Sequence, residues 1–259
     1  MSDPAILGVG AAACVALMSV LWAIGRRIDN WSIVDPGWAS CLVLLAWLFA
    51  ALSDGAPLRR VALASAVTLW GGRHAWLLLA HRVIGHPEEG RYVKLRERWG
   101  AGAFFLFFQA QALLAVLLSG PFLLVCGHAG GGPLPLEVAA LVLFPLALAG
   151  EAKADADLAR WKREPGHRGT TCRAGLWAWS RHPNYFFEWL VWCAFALAAL
   201  AGPGGWWAPY APLLMLVLLL FVTGIPPSEK QALRTRGDDY RAYQRSTSAF
   251  VPWPPKRGA

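Results

Sequence analysis

Charge is scarce in this sequence. Only 15% of its 259 residues are Asp, Glu, Lys or Arg, against about 25% in a typical soluble domain. So few charges argue against an ordinary water-soluble enzyme, and 56% hydrophobic residues argue against a disordered chain. Cysteine is sparse too. Cys14, Cys41, Cys126 and Cys193 sit in apolar runs and Cys172 in a polar loop, without a CxxC or a Cys/His pairing at zinc spacing. Five free thiols and no metal are expected. There is no GxGxxG after a strand, no Walker loop, no HExxH and no GxSxG. A nucleotide site would therefore have to be built from helix ends and loops. No alternating pattern suggests a β-barrel, and no internal repeat is evident. The first apolar run lacks a basic leading segment, so it reads as a retained span rather than a signal peptide.

What is abundant is apolar and aromatic. There are 15 Trp and 12 Phe against 5 Tyr, and the mean hydropathy is +0.41. A helix crosses the hydrocarbon with about 20 mostly apolar residues. Seven stretches qualify or come close: 5–25, 37–53, 61–80, 104–126, 134–150, 185–201 and 207–223. Backbone polar groups must be satisfied internally in lipid, so these runs are expected to be helices. The expected fold class is an all-α integral membrane protein with seven transmembrane helices in a single domain. Residues 1–126 would carry the first four spans and 134–259 the last three with the polar loop and tail.

The net charge of +8 would suggest nucleic acid in a soluble protein. Here the cations fall in a few segments between apolar runs, which is the pattern of membrane topology. Twenty-one of the 24 lie in the termini and loops of one side. Arg59 and Arg60 lie on the other, and Arg73 lies within the third span. The imbalance predicts an outside N-terminus and a cytoplasmic C-terminus in a multi-pass membrane protein. The long polar loop 151–184 and the tail 224–259 would face the cytoplasm, where any chemistry with a water-soluble partner belongs.

Three polar regions stand out. The segment Glu151–Arg163 continues the fifth span as a helix, with Lys153 and Asp157 at i,i+4 spacing. It reads either as a solvated helix end or as a cation cluster for an anion such as phosphate. In Ser180-Arg181-His182-Pro183-Asn184-Tyr185, Pro183 can open a helix, so the three residues before it gather at a natural anion site. Glu188 shares a helix face with Asn184 and lies one turn into an apolar span. That position marks function or an ion pair between helices. Near the N-terminus, Asp35 precedes Pro36 and could simply cap a helix. Arg73 and His74 lie mid-span after Gly71-Gly72 and need a partner or a wet cavity. Asp35 is one candidate partner. His81, His86, His128 and His167 are scattered singly. In the tail, Pro226-Pro227 ends or kinks the seventh span. Tyr240, Tyr243 and Phe250 allow the tail to fold back as a lid; otherwise it is an amphipathic juxtamembrane segment.

At GLWAWSRHPNYFFEW (175–189), ADADLARWK (154–162), GIPPSEKQAL (224–233) and YRAYQRSTSAFVP (240–252), the chain resembles the bacterial branch of the steroid 5-alpha-reductase-like membrane proteins (DUF1295). The RHPNYxxE core is also similar to isoprenylcysteine carboxyl methyltransferases, which keeps S-adenosylmethionine chemistry open as the alternative. The resemblance implies a seven-helix enzyme that uses NADPH to reduce the C=C bond of an enone lipid, such as a 3-oxo-Δ4 steroid. It implies that Asn184 and Glu188 belong to the nucleotide motif, with Glu188 holding the nicotinamide amide. Asp155 resembles an upstream aspartate, and Arg163 and Arg173 resemble arginines near the phosphates. The resemblance further implies a substrate side over 1–126 and a cofactor side over 134–259, the latter comprising Asp155, Lys162, Arg163, Arg168, Arg173, Ser180, Arg181, His182, Asn184, Tyr185, Glu188, Glu229 and Lys230. Trp31 and Asp35 match a Trp-x-x-x-Glu substrate motif, with Asp for Glu and Val34 where the family has Gln. Trp38 and Trp70 join them as substrate contacts, Trp70 lying near the place of the family's third-span tyrosine. Asp35, Arg73, His74 and Tyr92 are the candidates for polarising the substrate carbonyl. A monomer is expected, with membrane lipid and a hydrophobic enone as partners and no nucleic acid.

Overall fold

The computed structural model describes residues 1–167 and 169–256, the side chain of Ala101 excepted. It is 80% helix. Among the described residues no strand forms, and a single isolated bridge links Ser180 and Ser248. Ten α-helices follow one another among these residues: α1 (Asp3–Ile28), α2 (Val34–Leu52), α3 (Pro57–Val67), α4 (Arg73–Arg82), α5 (Gly90–Leu118), α6 (Gly120–Gly127), α7 (Pro135–Arg163), α8 (Pro183–Leu200), α9 (Tyr210–Val217) and α10 (Ile225–Ser246). Six helical runs are long and apolar enough to cross a membrane, as expected of a multi-pass membrane protein.

Those six correspond to every expected span except 61–80. That stretch is helical from Pro57 to Arg82, but α3 and α4 are joined by a π-helical turn over Thr68–Gly72. Arg59, Arg60, Arg73, His74, His81 and Arg82 reduce its apolar character. α5 is bent at Gly100 (φ 74°). The bend separates a polar first part from the apolar run Gly102–Gly127, which continues through α6.

The chain divides into two compact units. One comprises Met1–Pro133 with Ala199–Ala208, and the other Leu134–Ala198 with the chain from Pro209 onward. In the first unit α2 is central and packs against α1, α3, α4, α5 and α6. Accordingly 61% of its apolar stretch is buried, against 22% for α1. α1 turns Ile6, Gly10, Cys14 and Met18 inward at four-residue spacing, the helical repeat of one face. Gly10 permits a close helix–helix approach, because a Cβ there would lie 2.6 Å from Leu45 Cδ2.

In the second unit α7 runs unbroken from its apolar half into the polar segment ending at Arg163, as the sequence predicts. Pro183 does open α8. The seventh apolar run ends in a π-helical turn at Leu218–Val222, and the chain breaks at Thr223-Gly224. The double proline then sits in the first turn of α10 rather than ending the preceding helix. Its ring-fixed φ suits that position. α10 carries Glu229, Lys230, Arg234, Arg236, Asp238, Asp239, Arg241 and Arg245, which is too much charge for hydrocarbon. It therefore lies outside the membrane-spanning part.

The core of the first unit is aromatic. Trp31 lies 5.1 Å from Phe104 and 6.0 Å from Phe108, ring centre to ring centre, and Phe104 is also 6.2 Å from Tyr92. Phe104 is fully buried. Phe104→Ala should therefore cost about 3–5 kcal/mol and lower the unfolding midpoint in detergent. An unchanged midpoint would show that this cluster is not part of the core.

Candidate active site

The site in the first unit begins with the turn between α1 and α2. Asn30 Oδ1 accepts a hydrogen bond from Ser32 N (3.0 Å) and caps the 3₁₀ turn Trp31–Ile33. The same turn grips the segment before α5. Asn30 Nδ2 donates to His86 O (3.1 Å), Trp31 N to Glu88 Oε1 (3.1 Å), and Glu89 N to Ser32 Oγ (3.0 Å). These bonds bring Arg91 and Tyr92 to Asp35, which lies in the first turn of α2.

Asp35 is not merely a cap. Its Oδ2 receives Arg82 NH1 at 2.8 Å and also Arg91 NH2, while its Oδ1 receives the Tyr92 hydroxyl. Glu89 completes the cluster, with Oε1 2.9 Å from Arg82 Nε and Oε2 2.8 Å from Arg91 Nε. Two carboxylates and two guanidiniums thus alternate in one network. Tyr92 is buried. Burial pushes its phenol pKa up, and the negative charge of Asp35 adds to the rise. The hydroxyl therefore remains a proton donor at neutral pH.

The remaining expected residues of this unit form two groups. Trp38, Trp70 and His74 share one aromatic cluster, with ring centres 6.1–6.5 Å apart. Arg73 is half-buried beside it in sequence. Trp31 belongs instead to the core group of Trp22, Phe104 and Phe108.

In the second unit, Ser180, Arg181, His182 and Tyr185 gather before and within the first turn of α8, as the proline predicts. Arg181 points Nε at Glu229 Oε1 (2.7 Å) and NH1 at the carbonyls of Gln244 (3.1 Å) and Thr247 (2.7 Å). Glu229 also receives Gln244 Nε2 (2.7 Å) and Tyr240 Oη (3.3 Å), and His182 Nε2 lies 3.4 Å away. Ser180 Oγ donates to Phe250 O at 2.8 Å, and Tyr243 Oη to Ser180 O at 3.0 Å. The tail thus folds back on the loop before α8, held by Arg181 and Glu229. Tyr185 stacks on His182 and reaches Ser228 Oγ at 3.0 Å.

Deeper in the unit, Glu151 and Glu188 are both buried, and a carboxylate oxygen of one lies within 4.8 Å of one from the other. Asn184 and Asp155 are half-buried. Of the expected phosphate-binding cations, Arg173 pairs with Asp239 Oδ1 at 2.8 Å, while Lys162, Arg163 and Lys230 are exposed. Arg168 lies outside the described residues. Lys153 and Asp157 form the expected pair at 2.9 Å. Gly175 (φ +55°) lets the loop pass Asp157, because a Cβ there would lie 2.2 Å from Asp157 Oδ2.

Sequence reasoning missed Arg82, Glu89 and Arg91 as partners of Asp35, and Glu151 as the neighbour of Glu188. The dense charge over 82–98 between two apolar runs was the available signal for the first group. Glu151 at the cytoplasmic end of an apolar run was the signal for the second.

The fold is thus an all-helical membrane protein with a partly buried ion-pair network in each unit, one around Asp35 and one around Glu229. A family model described as "Protein of unknown function (DUF1295)" matches residues 21–247, so the chain belongs to that family. Neither a curated protein nor a solved structure matches it.

The tail contact generates a pH test. Burial alone would raise the Glu229 pKa, but hydrogen bonds from His182 and Arg181, the Arg181 charge and the Gln244 amide outweigh it. They hold the carboxyl at about 2, below its ordinary 4.5. A depressed pKa stabilises fully above the unfolded value and is lost as pH falls through the folded one. Protease cleavage of the tail should therefore rise between about pH 4.5 and 2. Glu229→Gln should reduce that dependence, leaving the part due to Asp239, which holds α10 to Thr171 and Arg173, and cost about 2 kcal/mol at neutral pH. Identical pH profiles for the two proteins would dissociate Glu229 from the tail.

Proposed function

We propose that this protein reduces the C=C bond of a hydrophobic enone, such as a 3-oxo-Δ4 steroid, at the expense of NADPH. The observation that carries the reading is the pairing of Tyr92 with Asp35, itself held by Arg82 and Arg91. Reduction of an enone places negative charge on the carbonyl oxygen, and a donor aimed there in a dry site lowers the barrier. The Tyr92 hydroxyl is buried, protonated and supported by a carboxylate. When it turns from Asp35 to a substrate carbonyl, the two guanidiniums keep Asp35 compensated. Trp38, Trp70 and His74 offer an aromatic wall suited to a flat apolar ring system.

The chemistry of the second unit fits a nicotinamide dinucleotide. Glu151 and Glu188 offer two buried acceptors within 4.8 Å, suited to the two hydrogens of a carboxamide. Asn184 lies one turn before Glu188 on the same helix face. Exposed Lys162 and Arg163 offer charge for phosphates. When bound, NADPH would supply the hydride; the protein's part is to orient and polarise. Arg181 and Glu229 would act by holding the tail rather than by touching phosphate.

We read the run from Pro57 to Arg82 as a seventh crossing, since it is helical for about 39 Å at 1.5 Å per residue. With seven crossings, the cation distribution favours an outside N-terminus and a cytoplasmic C-terminus.

Thermal unfolding of detergent-purified protein tests the cofactor. NADPH at a hundredfold excess over its Kd should stabilise the native state by about 3 kcal/mol. Stabilisation by S-adenosylmethionine instead would establish the methyltransferase alternative, and by neither a non-catalytic role. With an enone and NADPH, Tyr92→Phe should lower turnover by about 10²–10³-fold while the protein stays folded. Unchanged turnover would remove Tyr92 from the reaction.

A further inference from the structure

The segment after α10, residues 247–256 (the strap), borders an open cavity that the proposed reaction does not use. It measures about 380 Å³, and its lining includes Arg181, Arg245, Ser246, Thr247, Ser248 and Lys256. No carboxylate is among the lining residues. Arg181 already serves Glu229, so Arg245 and Lys256 dominate the charge the cavity presents, beside three hydroxyl side chains. That combination suits a phosphate ester.

The depth of the cavity selects the kind of ester. α8 is an apolar helix of 18 residues, about 27 Å long at 1.5 Å per residue, close to the thickness of the hydrocarbon. Residues 179–181 immediately precede it, so they lie at the membrane–water boundary. The strap is tied to these residues at three points: Arg181 N donates to Ser248 O (2.8 Å), Ser180 Oγ to Phe250 O (2.8 Å), and Trp253 N to Trp179 O (2.9 Å). The strap therefore shares that depth. Beside the cationic cavity it exposes Val251 and Trp253, at 51% and 68%, and Trp179 is 47% exposed. Exposed tryptophans are expensive in water and favoured at the headgroup level, where basic pockets meet anionic lipid.

We infer that the cavity under the strap binds the phosphate headgroup of an anionic phospholipid, with Trp179, Val251 and Trp253 against the upper acyl region. Arg181 borders the cavity but is engaged by Glu229; the charges offered to the headgroup, Arg245 and Lys256, take no part in the proposed reductase site, so the inference stands whether or not that reading does.

Short-chain phosphatidylglycerol added to the detergent-purified full chain tests the inference, with binding followed by native mass spectrometry. It should bind at least tenfold more tightly than short-chain phosphatidylcholine. Arg245→Ala with Lys256→Ala should remove that preference, weakening phosphatidylglycerol about tenfold. Arg234→Ala, which removes one exposed cation outside the cavity, should not. In the unaltered protein phosphatidylglycerol should also shield Lys256 from acetylation, a readout that requires no variant to fold. Equal binding of the two lipids, an unaffected double variant or an unshielded Lys256 would overturn the inference. So would displacement of the lipid by millimolar inorganic phosphate or by NADPH, which would assign the cavity to a soluble anion.

Discussion

The structure depends on the cost of leaving a charge unpaired beside hydrocarbon. A chain with 24 cations and 16 carboxylates on an apolar helical frame must place the charges near its spans in networks. Asp35 illustrates this in the first unit. It lies at the start of the most buried helix, and two guanidiniums and a phenol converge on it. Glu229 illustrates it in the second, where one carboxylate receives Arg181, Gln244 and Tyr240 and fastens the tail to the loop before α8. Pairing thus positions the side chains suited to chemistry and also shapes the polar surface around the helices.

The same constraint explains why the two clusters differ. Around Asp35 the donors include a hydroxyl that can be redirected without stranding the carboxylate, because the guanidiniums remain. Around Glu229 the donors are divided between the carboxylate and backbone carbonyls, and Arg181 is committed to three acceptors. Redirecting Arg181 to a ligand would release the tail. The proposed reaction would draw on the first arrangement, whereas the second acts as a clasp.

The helices were legible because lipid imposes one strong rule on sequence, a long apolar run. Pro183 and the uninterrupted Glu151–Arg163 segment were legible for equally local reasons, ring-fixed φ and the absence of a breaker. The run 61–80 was less so, since its π-helical turn and its charges interrupt the pattern without ending the helix. Partners across the chain were not legible. Asp35 and Tyr92 could each be named, but 57 positions separate them, and their contact depends on the hydrogen bonds of Asn30, Trp31 and Ser32 to the segment before α5. Arg181 looked like a phosphate ligand because its neighbours form a helix N-terminus. Only the folded tail reveals the carboxylate and carbonyls it engages.

In the proposed reaction a buried phenol polarises the enone and NADPH supplies the hydride. The most direct test is the fate of a label. The protein is supplied with a 3-oxo-Δ4 steroid and NADPH carrying deuterium at both hydrogens of the nicotinamide C4, and the product is analysed by mass spectrometry. The account predicts one deuterium on the former β-carbon of the enone. A reduced product without deuterium there would contradict it, as would no reduction in a protein that instead transfers a labelled methyl group from S-adenosylmethionine.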